Sequence, residues 1–221
     1  FRAAWLTAIG LALVAMALSL RLPSLRPEGE VEKRHRLIHP AGLVPGVVLL
    51  AAILGMAGFL AFVPLYALDL GMGGAGLVLG LFSGIVVVIR SLGATIPDRI
   101  GAARAMRTAL AVSAVGLAVM GTWRAPAGLV VGAVVLAVGV ALFTPSLFSA
   151  AVEGIPANER GAVMGTTSAF LDLAFGLGPA ILGFVAAAVG RPGTFLAGAA
   201  VAAAGLVVVV ATGLGRRTRS G

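Results

Sequence analysis

The chain has little of what a water-soluble protein needs. Only 11% of its 221 residues are charged, whereas 60% are apolar, and the mean hydropathy is +1.10. This number of polar groups is too small to cover the surface of a soluble fold of this size. The composition therefore excludes a water-soluble protein. The chain also has no cysteine, which excludes disulfides, thiolate metal sites and a cysteine nucleophile.

Catalytic signatures are absent as well. The sequence contains no Gly-x-Ser-x-Gly, no His-Glu-x-x-His and no P-loop pattern, so it indicates neither a hydrolase, a zinc site nor ATP hydrolysis. Both histidines, His35 and His39, lie in the one long polar stretch, where we expect solvated loop residues rather than ligands. The single lysine, Lys33, lies there too, which excludes a retinal-type protein. We expect no enzyme activity, no metal and no cofactor.

Long apolar runs, closed by charge, proline or glycine, are what the sequence has in abundance. A helix needs about 20 apolar residues to cross a hydrocarbon layer of about 30 Å. The runs predict seven spans, at 3–20, 43–68, 76–96, 106–122, 127–152, 163–189 and 194–214. The predicted fold class is therefore all-α, a polytopic transmembrane helix bundle in a lipid bilayer. Because the chain opens at Phe1 directly in an apolar run, we expect a fragment of a longer protein.

Basic residues predict the orientation of these spans. Twelve of the sixteen Lys and Arg residues fall in loops on one side, five of them in the stretch 21–40, and three fall on the other side. The positive-inside rule places the twelve, and the C-terminus, in the cytoplasm. Tyr66 and Trp123 lie at the opposite ends, where aromatic rings favour the headgroup zone. Since the basic residues alternate with apolar spans, no nucleic-acid partner is predicted.

The chain divides into four parts on this pattern. They are a spanning helix at 1–20, a polar cytoplasmic linker at 21–42, a six-helix bundle at 43–214 and a cytoplasmic tail at 215–221. Within the bundle, special residues repeat every three spans, because the first and fourth spans carry proline and the second and fifth carry the buried charges. Inverted repeats of secondary transporters produce such a pattern. Chance is the alternative, since only two ionisable residues had to be placed.

Asp172 is the strongest candidate for a transport role. It lies about 14 Å into its span, near the bilayer midplane. An ionised carboxylate there costs about 2.5 to 3.5 kcal/mol, so it should face a wet cavity, find a partner or hold a proton. The alternative is a hydrogen bond that assists helix packing, worth about 0.6 kcal/mol on average. We predict that Asp172 binds a proton or substrate, with weaker cavity candidates at Phe59, Phe62 and Phe143.

Arg90 is the second ionisable residue inside a predicted span. It lies about 9 Å from the cytoplasmic edge at 1.5 Å per residue. Its long stem can carry the guanidinium group to that surface. A role in the transport path and simple anchoring are therefore both open.

The stretch from Arg90 to Arg107 resembles a cytoplasmic loop of the major facilitator superfamily, the one between helices eight and nine. The family pattern is glycine, three residues, Asp-Arg, one residue, glycine and a basic pair. Asp98, Arg99 and Gly101 match it. Gly93 lies beside the expected glycine position, and alanines replace the basic pair.

Two further stretches are similar to the same family. Residues 62–71 resemble the outer end of helix seven, and residues 159–183, beginning with Glu159, Arg160 and Gly161, resemble helix eleven of bacterial efflux members. The resemblance covers the chain as helix six, the central linker and helices seven to twelve. It implies the C-terminal six-helix half plus one preceding helix, in a bacterial inner membrane, with the N-terminal half missing.

The resemblance also implies a function. It indicates secondary active transport by alternating access, with a small-molecule substrate and proton-coupled export as an antiporter. Gly93, Asp98, Arg99, Gly101 and Arg160 would form a cytoplasmic gate. In the family these loop residues meet elements of the opposite half, so we expect Asp98 and Arg160 to lack those partners here. A non-transporting membrane scaffold or signalling subunit remains the alternative.

Overall fold

The computed structural model describes residues 2–19, 38–92 and 100–215. These ranges are helical, without a strand among them, which confirms the predicted all-α class. The seven helices are α1 (Arg2–Ser19), α2 (Pro40–Asp69), α3 (Gly76–Leu92), α4 (Ala102–Thr122), α5 (Pro126–Ala151), α6 (Arg160–Val189) and α7 (Arg191–Thr212). The chain forms two compact units, Phe1–Arg34 with α1 and His35–Gly221 with the other helices.

The helices follow the predicted spans within a few residues at most ends. Five of them, α2 and α4 to α7, are long and apolar enough to cross a membrane. The shorter α3 has 17 residues, and the predicted span continued to residue 96, outside the described residues. The part of α1 from Ile9 to Ser19 is also apolar but shorter.

Proline and glycine set several helix boundaries. Proline occupies the first turn of α2, α5 and α7, where its missing N–H group leaves no intrahelical bond unmade. Gly190 ends α6 and directly precedes α7, with a φ of 80°. That left-handed backbone favours glycine, because a Cβ would clash there. The connection between α6 and α7 is therefore a single residue.

The six helices of the larger unit form two layers. One layer is a row in the order α3, α5, α2, α6, in which each helix packs against the next. Behind it lie α4, which packs on α5 and α7, and α7, which also packs on α2 and α6. Helices α3 and α6 therefore stand at the two edges of the row, at opposite sides of the unit.

Close backbone approach holds the layers together. A Cβ atom placed on Gly116 of α4 would lie 2.6 Å from the backbone nitrogen of Leu136 in α5. On Gly198 of α7 it would lie 3.1 Å from Cα of Gly55 in α2. Small residues at such contacts let apolar helices pack backbone to backbone. These glycines are structural requirements of the unit.

Tyr66, predicted for the headgroup zone at the end of its span, is buried in the protein. The side chain is only 2% exposed, its hydroxyl donates a hydrogen bond to Met120 O at 3.3 Å, and its ring centroid lies 5.2 Å from that of Phe195. Tyr66 therefore joins α2, α4 and α7 in the core, because packing and a buried acceptor satisfy both its ring and its hydroxyl. Trp123 is 51% exposed, consistent with an interfacial position.

Candidate functional site

Helix α6 is fixed against α2 along one continuous line of contacts. Thr166 lies over Gly42, Phe170 covers Gly46 with its ring, and Leu182 reaches Gly58. Thr166, Phe170 and Leu182 therefore mark the side of α6 that faces α2. The opposite side of α6 is consequently turned away from α2.

Asp172 lies on that opposite side. It comes two residues before the fully buried Ala174, a rotation of about 200° at 3.6 residues per turn. The side chain is exposed, and no other described residue forms an ion pair or hydrogen bond with it. Phe175, three residues further along the helix, is 44% exposed. The unit therefore presents an apolar, open helix face with one carboxylate in its middle.

Glycines surround Asp172 on this face. A Cβ atom placed on Gly161, Gly165 or Gly176 would meet no described atom within 4 Å. A Cβ on Gly183 would meet only Cζ of Phe62, at 3.9 Å. The face is therefore nearly smooth around the carboxylate, and another backbone could approach it closely.

Helix α3 carries a second face of the same kind. Val78 and Phe82 are buried, whereas a Cβ atom on Gly76, Gly80 or Gly84 would meet no described atom within 4 Å. We call this surface the α3 open face, and the surface of α6 around Asp172, with Gly161, Gly165 and Gly176, the α6 open face.

Arg90 lies on the exposed side of α3. It stands in the last turn of the helix, where a cation interacts favourably with the helix dipole. No ion pair or side-chain hydrogen bond of Arg90 occurs within the described ranges. Arg90 and Asp172 are on the two edge helices of the row, and the structure does not bring them together.

The predicted phenylalanines separate into two groups. Phe59 is completely buried, with its ring centroid 5.0 Å from that of Phe82, and Phe143 is 1% exposed in the core. Both lie among packed side chains rather than on a surface. Phe62 is only partly buried and lies beside Gly183 of α6. The sequence could not separate them, because a helix that is apolar all round has no informative period.

The predicted gate is only partly within the described residues. Gly93, Asp98 and Arg99 lie outside them. Gly101 is the N-cap residue of α4 and has a φ of 85°, a conformation that favours glycine. Arg160 begins α6 and donates a hydrogen bond from Nε to Ile155 O at 2.9 Å. It has no ion pair in the described part of the chain.

Sequence reasoning missed two polar contacts. Asp69 at the end of α2 pairs with Arg191 at the start of α7, and His39 contacts α6. The only sequence signal for the second is that His39 directly precedes Pro40 at a helix start. Nothing in the sequence identified their partners, which are more than a hundred residues away.

Comparisons with known proteins agree with the helical architecture. A family model described as the Major Facilitator Superfamily matches residues 76–220. An uncharacterized MFS-type transporter of Salmonella typhimurium is 34% identical over 192 residues, which cover 85% of this chain and 47% of that protein. One of Pseudomonas aeruginosa is 33% identical over 207 residues, covering 90% and 49%. YhhS of Salmonella enteritidis, an uncharacterized MFS-type transporter, is 29% identical over 203 residues, covering 92% and 50%. The chain spans about half the length of these relatives.

Proposed function

The chain belongs to the major facilitator superfamily, and on this premise we propose that it is the C-terminal portion of a proton-coupled exporter of a small molecule. The observation that carries the proposal is Asp172, an unpaired carboxylate among the described residues, in the middle of the α6 open face. In hydrocarbon such a group is tolerated when it holds a proton, meets a cation or faces water. Each of these states is useful to a carrier.

The occupant we propose for the two open faces is the N-terminal half of the same transporter. Faces with small residues allow a second helix to pack at backbone distance. The two helices also carry one exposed charge each, Arg90 on α3 and Asp172 on α6, which lipid alone would solvate poorly. With the other half in place, Asp172 would lie between the halves rather than against acyl chains.

The packing of α6 on α2 suggests how Asp172 would move. Because Gly42, Gly46 and Gly58 are covered by α6 side chains, α2 and α6 cannot slide without clashes and should move as one body. Rocking of the two halves would then carry Asp172 between access to one side and access to the other. The carboxyl would take up a proton on one side and release it on the other, in exchange for substrate.

We propose the bacterial inner membrane as the location, with the C-terminus in the cytoplasm. At one end of the larger unit lie Arg104, Arg107 and Arg160, and at the other Arg124 and Arg191. The positive-inside rule applied to the whole sequence supports this orientation. The gate remains a proposal from the family resemblance, with Gly93, Asp98, Arg99, Gly101 and Arg160 as its residues.

The test is the substitution Asp172→Asn in the complete transporter reconstituted in vesicles. Drugs, sugars and metabolites are added one at a time under an imposed proton gradient. The substrate is the compound whose transport is accompanied by proton movement. Asp172→Asn should then lower coupled flux by about tenfold or more, because the amide cannot carry the proton. Asp172→Glu should retain part of the flux. Unchanged coupling in Asp172→Asn would exclude this residue as the proton carrier.

A further inference from the structure

The starts of α2 and α6 are joined by a cluster of polar contacts around His39. The backbone N–H of His39 donates to Thr166 Oγ1 at 2.8 Å, and Thr167 Oγ1 donates to Gly42 O at 3.3 Å. The imidazole Nδ1 accepts a hydrogen bond from the backbone nitrogen of Ala41 at 3.3 Å. Nε2 lies 3.4 Å from Oε2 of Glu159. We call these six residues the His39 clasp.

The clasp defines the tautomer of His39. Ala41 N–H is a donor, so Nδ1 must carry a lone pair and no proton. In the neutral ring the proton is then on Nε2, which lies 3.4 Å from Oε2 of Glu159. Neutral His39 therefore caps the first turn of α2 through Nδ1 and contacts the start of α6 through Nε2.

Protonation of the ring would separate these two roles. An imidazolium has N–H groups on both nitrogens, so Nδ1–H would oppose the N–H of Ala41 and the cap would be lost. The contact between Nε2–H and Glu159 would instead become a charge-assisted one and strengthen.

Among the described residues, a small set supplies the charges at this end of the unit. Glu159 faces His39 from the N-cap of α6, and Arg160 beside it is turned to Ile155 O. Glu153 lies in the connection between α5 and α6 and is exposed, and Arg104 and Arg107 lie at the start of α4. The described part of α7 at this end brings no charged side chain. Glu159 is thus the charged group that contacts the ring.

We propose that His39 is a proton-responsive positioning residue at the starts of α2 and α6. In its neutral form the ring caps the start of α2, and in its protonated form it exchanges that cap for an ion pair with Glu159 at the start of α6. The hydrogen bonds that join Thr166 and Thr167 to α2 stay in place. Because α6 carries Asp172, this exchange changes how the first turn of α2 is held against that helix. The consequence for transport rests on the proposed function, whereas the behaviour of the clasp does not.

Nitrogen NMR of the histidine ring tests the tautomer directly. In the full chain with His35→Gln, His39 is the only histidine, and ¹⁵N-histidine labelling reports both ring nitrogens. In the neutral ring we expect a protonated Nε2 and an unprotonated Nδ1. A Nδ1-protonated tautomer, or a mixture of both, would overturn the proposal.

Spin-label distances test the positioning role, since the cysteine-free chain gives unique labels at Leu43→Cys on α2 and Gly161→Cys on α6. Between about pH 8 and pH 5, the distance distribution should change in the parent chain. It should not change with His39→Asn, because asparagine is a good helix cap and does not titrate. Glu159→Gln should also reduce the change, whereas the matched control Glu153→Gln should keep it.

These outcomes separate the clasp from the transport mechanism. A pH-dependent distance that persists in His39→Asn, or that is absent from the parent chain, would overturn the proposal. If Asp172→Asn left coupled flux intact while the distance still followed His39, the exporter proposal would fail and the clasp would stand.

Discussion

Glycines on the inward and outward surfaces of the larger unit have opposite surroundings. Gly116, Gly139 and Gly198 lie where a Cβ atom would come within about 3.1 Å of the backbone or side chain of another helix. A Cβ on the glycines of the α3 and α6 open faces would meet no described atom within 4 Å. Packing therefore requires glycine in the first region, whereas no contact within the described unit requires it in the second.

The difference indicates what the open faces are for. A helical glycine costs about 0.5 to 1 kcal/mol relative to alanine, and close helix packing offsets that cost at the inward positions. At Gly80, Gly84, Gly165 and Gly176 nothing in the described unit offsets it. A chain that spans about half the length of its relatives offers an explanation, because a second half could pack on these faces.

The largest expected effect is at an inward position. Gly116→Val would place side-chain atoms against Leu136 N and Gly132 O, and backbone atoms cannot move aside as a side chain can. We expect a loss of about 3 kcal/mol or more in the free energy of unfolding, at the upper end of overpacking costs. Thermal or denaturant unfolding in micelles measures it. The matched control is Gly80→Val on the α3 open face, and similar losses in both would remove the distinction between the regions.

An intermediate effect is expected on the open faces themselves. Gly80→Ala combined with Gly176→Ala should raise helix stability by about 0.5 to 1 kcal/mol per site when the other half is absent. In the complete transporter the same change should lower flux, because the added methyl groups would separate the halves. Unfolding of the chain and flux of the complete protein are the two measurements. An unaltered flux would mean that neither face is in close contact.

The smallest effect is expected at the rim of the packed region. Asp69 and Arg191 pair across α2 and α7, with side chains 44% and 37% exposed. Exposed pairs contribute about 0.2 to 1 kcal/mol, so Asp69→Asn should lower the free energy of unfolding by no more than that. High salt should remove the difference between Asp69→Asn and the parent chain. A larger loss in the free energy of unfolding, unaffected by salt, would show that this pair is part of the packed core and does not lie at its rim.

The sequence predicted the helices well because apolar length is a direct requirement of the bilayer. It did not place Phe59 and Phe143 in the core, because in an apolar helix every side could be buried. Tyr66 was assigned to the headgroup zone from its place at the end of a span, and only the structure shows its acceptor on α4.

The sequence predicted one residue of the candidate site, Asp172, but not the helix surface around it. Asp172 was identified from its depth, but its glycine surroundings became meaningful only when the packing of α6 on α2 showed which side is open. The His39 clasp could not be predicted, since its partners Glu159, Thr166 and Thr167 come together through tertiary packing.

The most direct test of the account is the environment of the α6 open face in the complete transporter. A nitroxide at Gly176→Cys on α6 is compared with one at Val207→Cys on α7, a residue that is 66% exposed. Collision with molecular oxygen, which is concentrated in lipid, reports contact with acyl chains. The account predicts low oxygen accessibility at position 176 and high accessibility at position 207. Equally high accessibility at both positions would place Asp172 against lipid and contradict the proposed mechanism.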